Sequence, residues 1–108
     1  MPDICKEFRA WVNLMPPRPD DFHVIGGVEV GNPGITATLT KRHPQGINPK
    51  ILLLDLSLVQ QPGVWPQVVT CALARYDEIL DWKDTYSSVD IFLGNSVFTK
   101  IDHIEVVQ

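Results

Sequence analysis

Gln67-Val68-Val69-Thr70-Cys71-Ala72-Leu73-Ala74-Arg75-Tyr76-Asp77-Glu78-Ile79-Leu80-Asp81-Trp82 reads two ways, and the choice between them sets the fold class. Val69, Ala72, Leu73, Tyr76, Ile79 and Leu80 form one apolar stripe at helical spacing. Pro66 suits the first turn of such a helix. Against this, Val68-Val69-Thr70-Cys71 is rich in strand formers. Trp65-Pro66 fits the start of an edge strand equally well. We read a strand over residues 67–76, followed by an acidic loop and paired with the leucine-rich strand before it. That makes the chain all-β. The helical alternative, with residues 67–82 as the helix, makes it α+β.

The flanking segments favour strands. In Ile51-Leu52-Leu53-Leu54-Asp55-Leu56-Ser57-Leu58-Val59, the residues Leu52, Leu54, Leu56 and Leu58 share one face. The other face starts apolar and turns polar at Asp55 and Ser57, as in a central strand covered on one side throughout. Asp55 reads as outward-facing; buried, it would need a partner. Ile35, Ala37 and Leu39 alternate with Thr36, Thr38 and Thr40, the pattern of a half-buried strand. Asn32-Pro33-Gly34 reads as a turn with Gly34 at positive φ, joining that strand in a hairpin to Phe22–Val30. Gly26-Gly27 inside that partner marks a bulge or a close backbone approach.

Near the N-terminus, Phe8, Ala10, Val12 and Leu14 alternate in a first strand. Met15-Pro16-Pro17-Arg18-Pro19 follows as a stiff connector. At the other end Val89, Ile91 and Leu93 lead into Gly94-Asn95, a type I′ or II′ hairpin turn, and Val97, Thr99 and Ile101 follow in phase. The apolar phase then shifts to Ile104 and Val106, as a bulge at Asp102-His103 would produce.

With 108 residues the chain is expected to form one domain, 1–108. Nine prolines and seven glycines argue against long helices. The expected architecture is a single-domain antiparallel β-sandwich of about seven strands. It resembles immunoglobulin-like sandwiches in strand count only. The tyrosine two residues before the second cysteine that marks those domains is absent, since position 69 is Val. Cys5 and Cys71 are therefore read as two reduced, packed thiols.

The formal net charge is -4, from 9 basic and 13 acidic residues. The short cluster Lys41-Arg42-His43 reads as a solvated strand end, so no nucleic-acid partner is expected. Asp77, Glu78, Asp81 and Asp84 would repel phosphate and anionic lipid. The longest purely apolar run, Ile51 to Leu54, is far short of a membrane-spanning helix. The first residues lack the basic and apolar regions of a secretory leader, so a cytoplasmic location is expected. Gly-x-Gly-x-x-Gly, a P-loop and His-Glu-x-x-His are all missing, and no cofactor is expected. Gly94-Asn95-Ser96-Val97-Phe98 fails the last position of a nucleophile elbow.

Two groups of candidate residues remain. His23 follows Asp21, while His103 follows Asp102 and shares a strand face with Glu105. Brought together, His23, His103, Asp21, Asp102 and Glu105 would form a metal or acid–base site. The plainer reading is surface histidines with carboxylate neighbours. Trp11, Trp65 and Trp82 are candidate interface anchors, Trp11 because it shares the polar face of its strand with Glu7 and Arg9. The plainer reading has each capping an end of the core. The leading expectation is a small cytoplasmic, non-enzymatic binding domain. Its partner is a protein, including a second copy joined by strand-edge extension. The alternative is a small metal-dependent or acid–base enzyme using the two histidines. A ligand carrier between the sheets ranks last.

Overall fold

Alternation of apolar and polar residues produces strands from Ile4 to Val107 among the described residues. A computed structural model describes residues 3–13, 20–43, 48, 50–80 and 86–107. The strands are β1 (Ile4–Asn13), β2 (Asp20–Val30), β3 (Ile35–Lys41), β4 (Ile51–Gln60), β5 (Thr70–Leu80), β6 (Ser88–Leu93), β7 (Ser96–Ile101) and β8 (Ile104–Val107). They form two four-stranded sheets: sheet A in the order β5-β2-β1-β8, sheet B in the order β3-β4-β6-β7. The chain is an all-β sandwich, and the helical alternative for residues 67–82 is excluded where they are described. Two pairings, β1 with β8 and β4 with β6, are parallel, so the sheets are mixed and not purely antiparallel.

β5 resolves the ambiguous stretch in three respects. Its even positions face inward: Ala72 and Ala74 are buried, Tyr76 and Glu78 half-buried, while Leu73 and Ile79 are exposed. The helical stripe thus mixed residues from both strand faces. The expected acidic loop is strand as far as Leu80, because β2 offers an unbroken ladder to Ile79↔Asp21 and Leu80↔Asp20; Asp81 and Asp84 lie outside the described residues. Its sheet partner is β2, not the leucine-rich β4, which lies in the opposite sheet.

An expected hairpin turn and an expected bulge are both corners between the sheets. β3 pairs with β4, so Asn32-Pro33-Gly34 carries the chain from sheet A to sheet B. There the Asn32 side-chain oxygen accepts the Gly34 N–H at 2.9 Å. Gly34 does not have positive φ; among described residues only Gly63 and Gly94 do. It is required for space, since a Cβ there would collide with the Trp65 ring. Likewise Asp102-His103 is no bulge. β7 pairs with β6 in sheet B and β8 with β1 in sheet A, so the phase shift records a change of sheet. The bulge falls earlier, at the register shift between Ile91 and Phe92. Phe98 is the extra residue; it turns inward and meets Phe8 edge-on at 6.2 Å, leaving Val97 exposed. Gly94, at φ +67° and followed by Asn95 without positive φ, matches a type II′ turn.

The core lies between the sheets, with Phe22, Val24, Val28, Leu52, Leu54, Val89 and Ile91 fully buried. Burying each such side chain contributes about 1.5–3 kcal/mol. β3 lies against β5 and closes one side of the sandwich. Opposite Gly26-Gly27, β1 carries two register shifts, between Ile4 and Lys6 and between Lys6 and Arg9. They turn Phe8 inward onto Gly26, where a Cβ would collide with its ring. They also bring Cys5 over Gly27. The two cysteines are not free thiols: Cys5 and Cys71 form a disulfide with Cα atoms 5.9 Å apart. The bridge crosses the exposed face of sheet A from β1 to β5. A Cβ at Gly27 would stand 2.8 Å from Cys71 Sγ and 3.1 Å from Cys5 Sγ.

Candidate binding face

The outward face of sheet A collects four of the eight candidate residues, Trp11, Asp21, His23 and Glu105. Strand register aligns Asp77 on β5, His23 on β2, Trp11 on β1 and Glu105 on β8 in one row across the sheet. The next row holds Arg75, Ile25 and Arg9. At the centre the Trp11 and His23 rings lie 5.2 Å apart at 37°. His23 Nδ1 is hydrogen-bonded to Asp77 Oδ1. On one flank Arg75 Nε donates to the two Asp77 oxygens at 3.0 and 2.8 Å. On the other, Arg9 Nη2 donates to both Glu105 oxygens at 3.1 Å. The His23 hydrogen bond, with desolvation opposing it and Arg75 reinforcing it, holds the Asp77 carboxyl below the usual carboxylate range. Leu73 and Ile79 stand on this face 64% and 69% exposed.

The outward face of sheet B is different. Thr36, Thr38, Thr40 and Ser57 are exposed there, together with Val59 and Val97. Its aromatic residue is covered: the Arg42 guanidinium lies 4.4 Å over the Phe92 ring and donates to Asp55 at 2.7 Å. Asp55 is outward-facing as expected, with Arg42 from the basic cluster as its partner. Antiparallel sandwich sheets ordinarily show water a polar face of this kind. Sheet A departs from it in exposing Leu73 and Ile79, two larger aliphatic residues at either end of the Arg75–Asp77 pair.

His23, Asp21 and Glu105 thus belong to the sheet A face. Asp21 is exposed there, in register with Asn13 and Ile79. Asp102 and His103 lie at the β7–β8 corner. With Glu105, Glu7, Arg9 and Lys100 they line an open cleft of about 330 Å³. Among the described residues no group of three or more His, Cys, Asp or Glu is arranged to hold a metal ion. His23 is engaged by Asp77 and Trp11, and Glu105 by Arg9. Trp65 covers Gly34, and its Nε1 donates to the Gln61 carbonyl at 3.0 Å, fixing the corner between the sheets. Trp82, Leu14 and residues 15–19 lie outside the described residues.

A second polar cluster escaped the sequence reading. Glu78 faces into one end of the sandwich, where Tyr76 donates to it at 2.6 Å and Tyr86 at 3.0 and 3.2 Å. Lys41 Nζ lies 3.8 Å from the same carboxylate. Burial pushes the Tyr76 hydroxyl above the ordinary tyrosine range, and the Glu78 hydrogen bond adds to the effect. The cluster joins β3, β5 and the segment leading into β6, and Tyr86 meets Phe22 edge-on at 5.1 Å. Its position in β5's inward phase was the available signal, hidden while those residues were read as a loop.

Comparison with known proteins finds no matching family model, no matching curated protein and no matching solved structure. No described helix is long and apolar enough to cross a membrane.

Proposed function

We propose that the chain is a non-enzymatic binding domain that docks a protein partner on the outward face of sheet A. One observation carries this reading. The Trp11–His23 ring contact and the exposed Leu73 and Ile79 share one face with two arginine–carboxylate pairs, while the opposite face carries threonines, Ser57 and the smaller exposed residues Val59 and Val97. Large aromatic and arginine side chains dominate the energetics of protein interfaces. The acidic net charge argues against nucleic acid as the partner. An exposed disulfide persists in oxidising compartments and is rare in the cytosol. The Cys5–Cys71 bridge therefore favours a location outside the cytoplasm over the cytoplasmic one expected from sequence.

A photo-crosslinking amino acid placed at Leu73, and separately at Thr38 on the other face, tests the reading in cells of the native host. The expected result is a protein adduct at 73 that Trp11→Ala abolishes, with none at 38. Equal adducts from both faces, or none from either, would refute the assignment.

A further inference from the structure

We infer that the partner this face fits is a second copy of the same chain, packed face to face about a two-fold axis; the inference rests on the docking face proposed above. The outward residues of β5 run Leu73, Arg75, Asp77, Ile79. Read in reverse, the order is Ile79, Asp77, Arg75, Leu73. The stripe is complementary to its own inverse, with apolar ends and opposite charges between them. An isologous interface requires that property, because each contact in it occurs twice.

Register extends the match across the sheet. Let the axis lie in the interface, across the strands, midway between the Arg75–Ile25–Arg9 row and the Asp77–His23–Trp11 row. Arg75 of one copy then faces Asp77 of the other, Ile25 faces His23, and Arg9 faces the Trp11 ring. One row further out Leu73 faces Ile79. An ion pair, a cation–π contact and an apolar contact arise together from one symmetry operation. The docking also covers the two large apolar side chains that a solvated sheet face leaves unexplained. Edge-to-edge pairing of β5 would use the same stripe, but β3 already lies against β5, and Leu73 and Ile79 would stay in water.

The size fits a reversible dimer. β2 and β5 are 11 residues long, β1 is 10 and β8 is 4. At about 3.3 Å per residue and 4.8 Å between strands, the face covers roughly 600 Å². Both copies together bury about 1,200 Å², the lower limit of specific interfaces, as a weak, reversible dimer requires.

Analytical ultracentrifugation of the oxidised full chain from about 1 to 500 µM tests the proposal. Wild type is expected to shift from monomer to dimer. Arg75→Asp and Asp77→Arg each place like charges opposite one another and should weaken the dimer about tenfold or more. Their equimolar mixture should restore it as a heterodimer, which a folding defect could not do. Ile25→Glu, on the neighbouring strand, should also dissociate the dimer. A wild type that stays monomeric throughout overturns the proposal, as does a mixture that stays monomeric. An Ile25→Glu protein that still dimerises overturns the face-to-face arrangement. A monomeric wild type together with face-specific cross-linking to a different protein overturns self-association and retains the docking face.

Discussion

Trp65 keeps its place because position 34 has no side chain. Gly34→Ala forces the indole off the β2–β3 corner and breaks its bond to the Gln61 carbonyl. A loss of about 1–3 kcal/mol is expected, in the range of overpacked sites. Chemical denaturation measures the loss, and tryptophan fluorescence reports the displaced ring. Gly31→Ala is the control: nothing lies within 4 Å of its added methyl, so stability should hold or rise slightly. At this scale the sequence was informative about crowding and silent about what crowds. Gly26-Gly27 announced a close approach, yet Phe8 and the disulfide reach them through bulges in β1 that no pattern in β1 displays. Cys5 and Cys71 were misread for the same reason. The inter-sheet bridge tested against the sequence has its own signature, whereas this one stays within a single sheet and depends only on register.

β5 shows why a strand can mimic a helix in sequence. Ala72 and Tyr76 satisfy both periods, and Leu73 and Ile79 complete the helical stripe from the outward face. Their exposure, unusual for a solvated face, is what made the strand hard to recognise. The same misreading hid Glu78, which turns inward only if the strand continues past Tyr76. Its cluster gives β5 a pH dependence with a definite sign. The folded state raises the Tyr76 pKa above its unfolded value, so the associated stability is complete below about pH 10 and declines as pH rises beyond it. Denaturation midpoints measured between pH 8 and 11 should fall less steeply in Tyr76→Phe than in wild type. An unchanged alkaline slope would remove Tyr76 from the account.

For the whole molecule, the layers were legible and the assignment of strands to layers was not. Alternation reveals which residues face a core, and it identified almost every inward position of β1 through β4. It does not reveal which sheet a strand joins, because a hairpin and a corner can share one turn sequence, as Asn32-Pro33-Gly34 does. The candidate site divided accordingly: Trp11, His23 and Glu105 were visible singly, and only register aligned them. The disulfide is the molecule's longest-range covalent constraint, with a sequence separation of 66. A bridge closing a loop of that length contributes about 2–4 kcal/mol. Reduction, or the Cys5→Ser/Cys71→Ser double variant, should lower Tm by roughly 10–20 °C in thermal melts. The double variant should then be insensitive to reductant. A Tm unchanged by reduction would show that the bridge contributes nothing to stability.

The pairing of β1 with β8 also bears on the order of assembly. Ala10 meets Ile104 across nearly the full length of the chain, a contact with a high loop-closure cost that places the protein among slowly folding topologies. Cys71, by contrast, is synthesised well before β8. During translation the bridge can fasten β1 against β2 and β5 while the residues of β8 are still unmade, leaving one side of β1 open as a template on which the last strand closes.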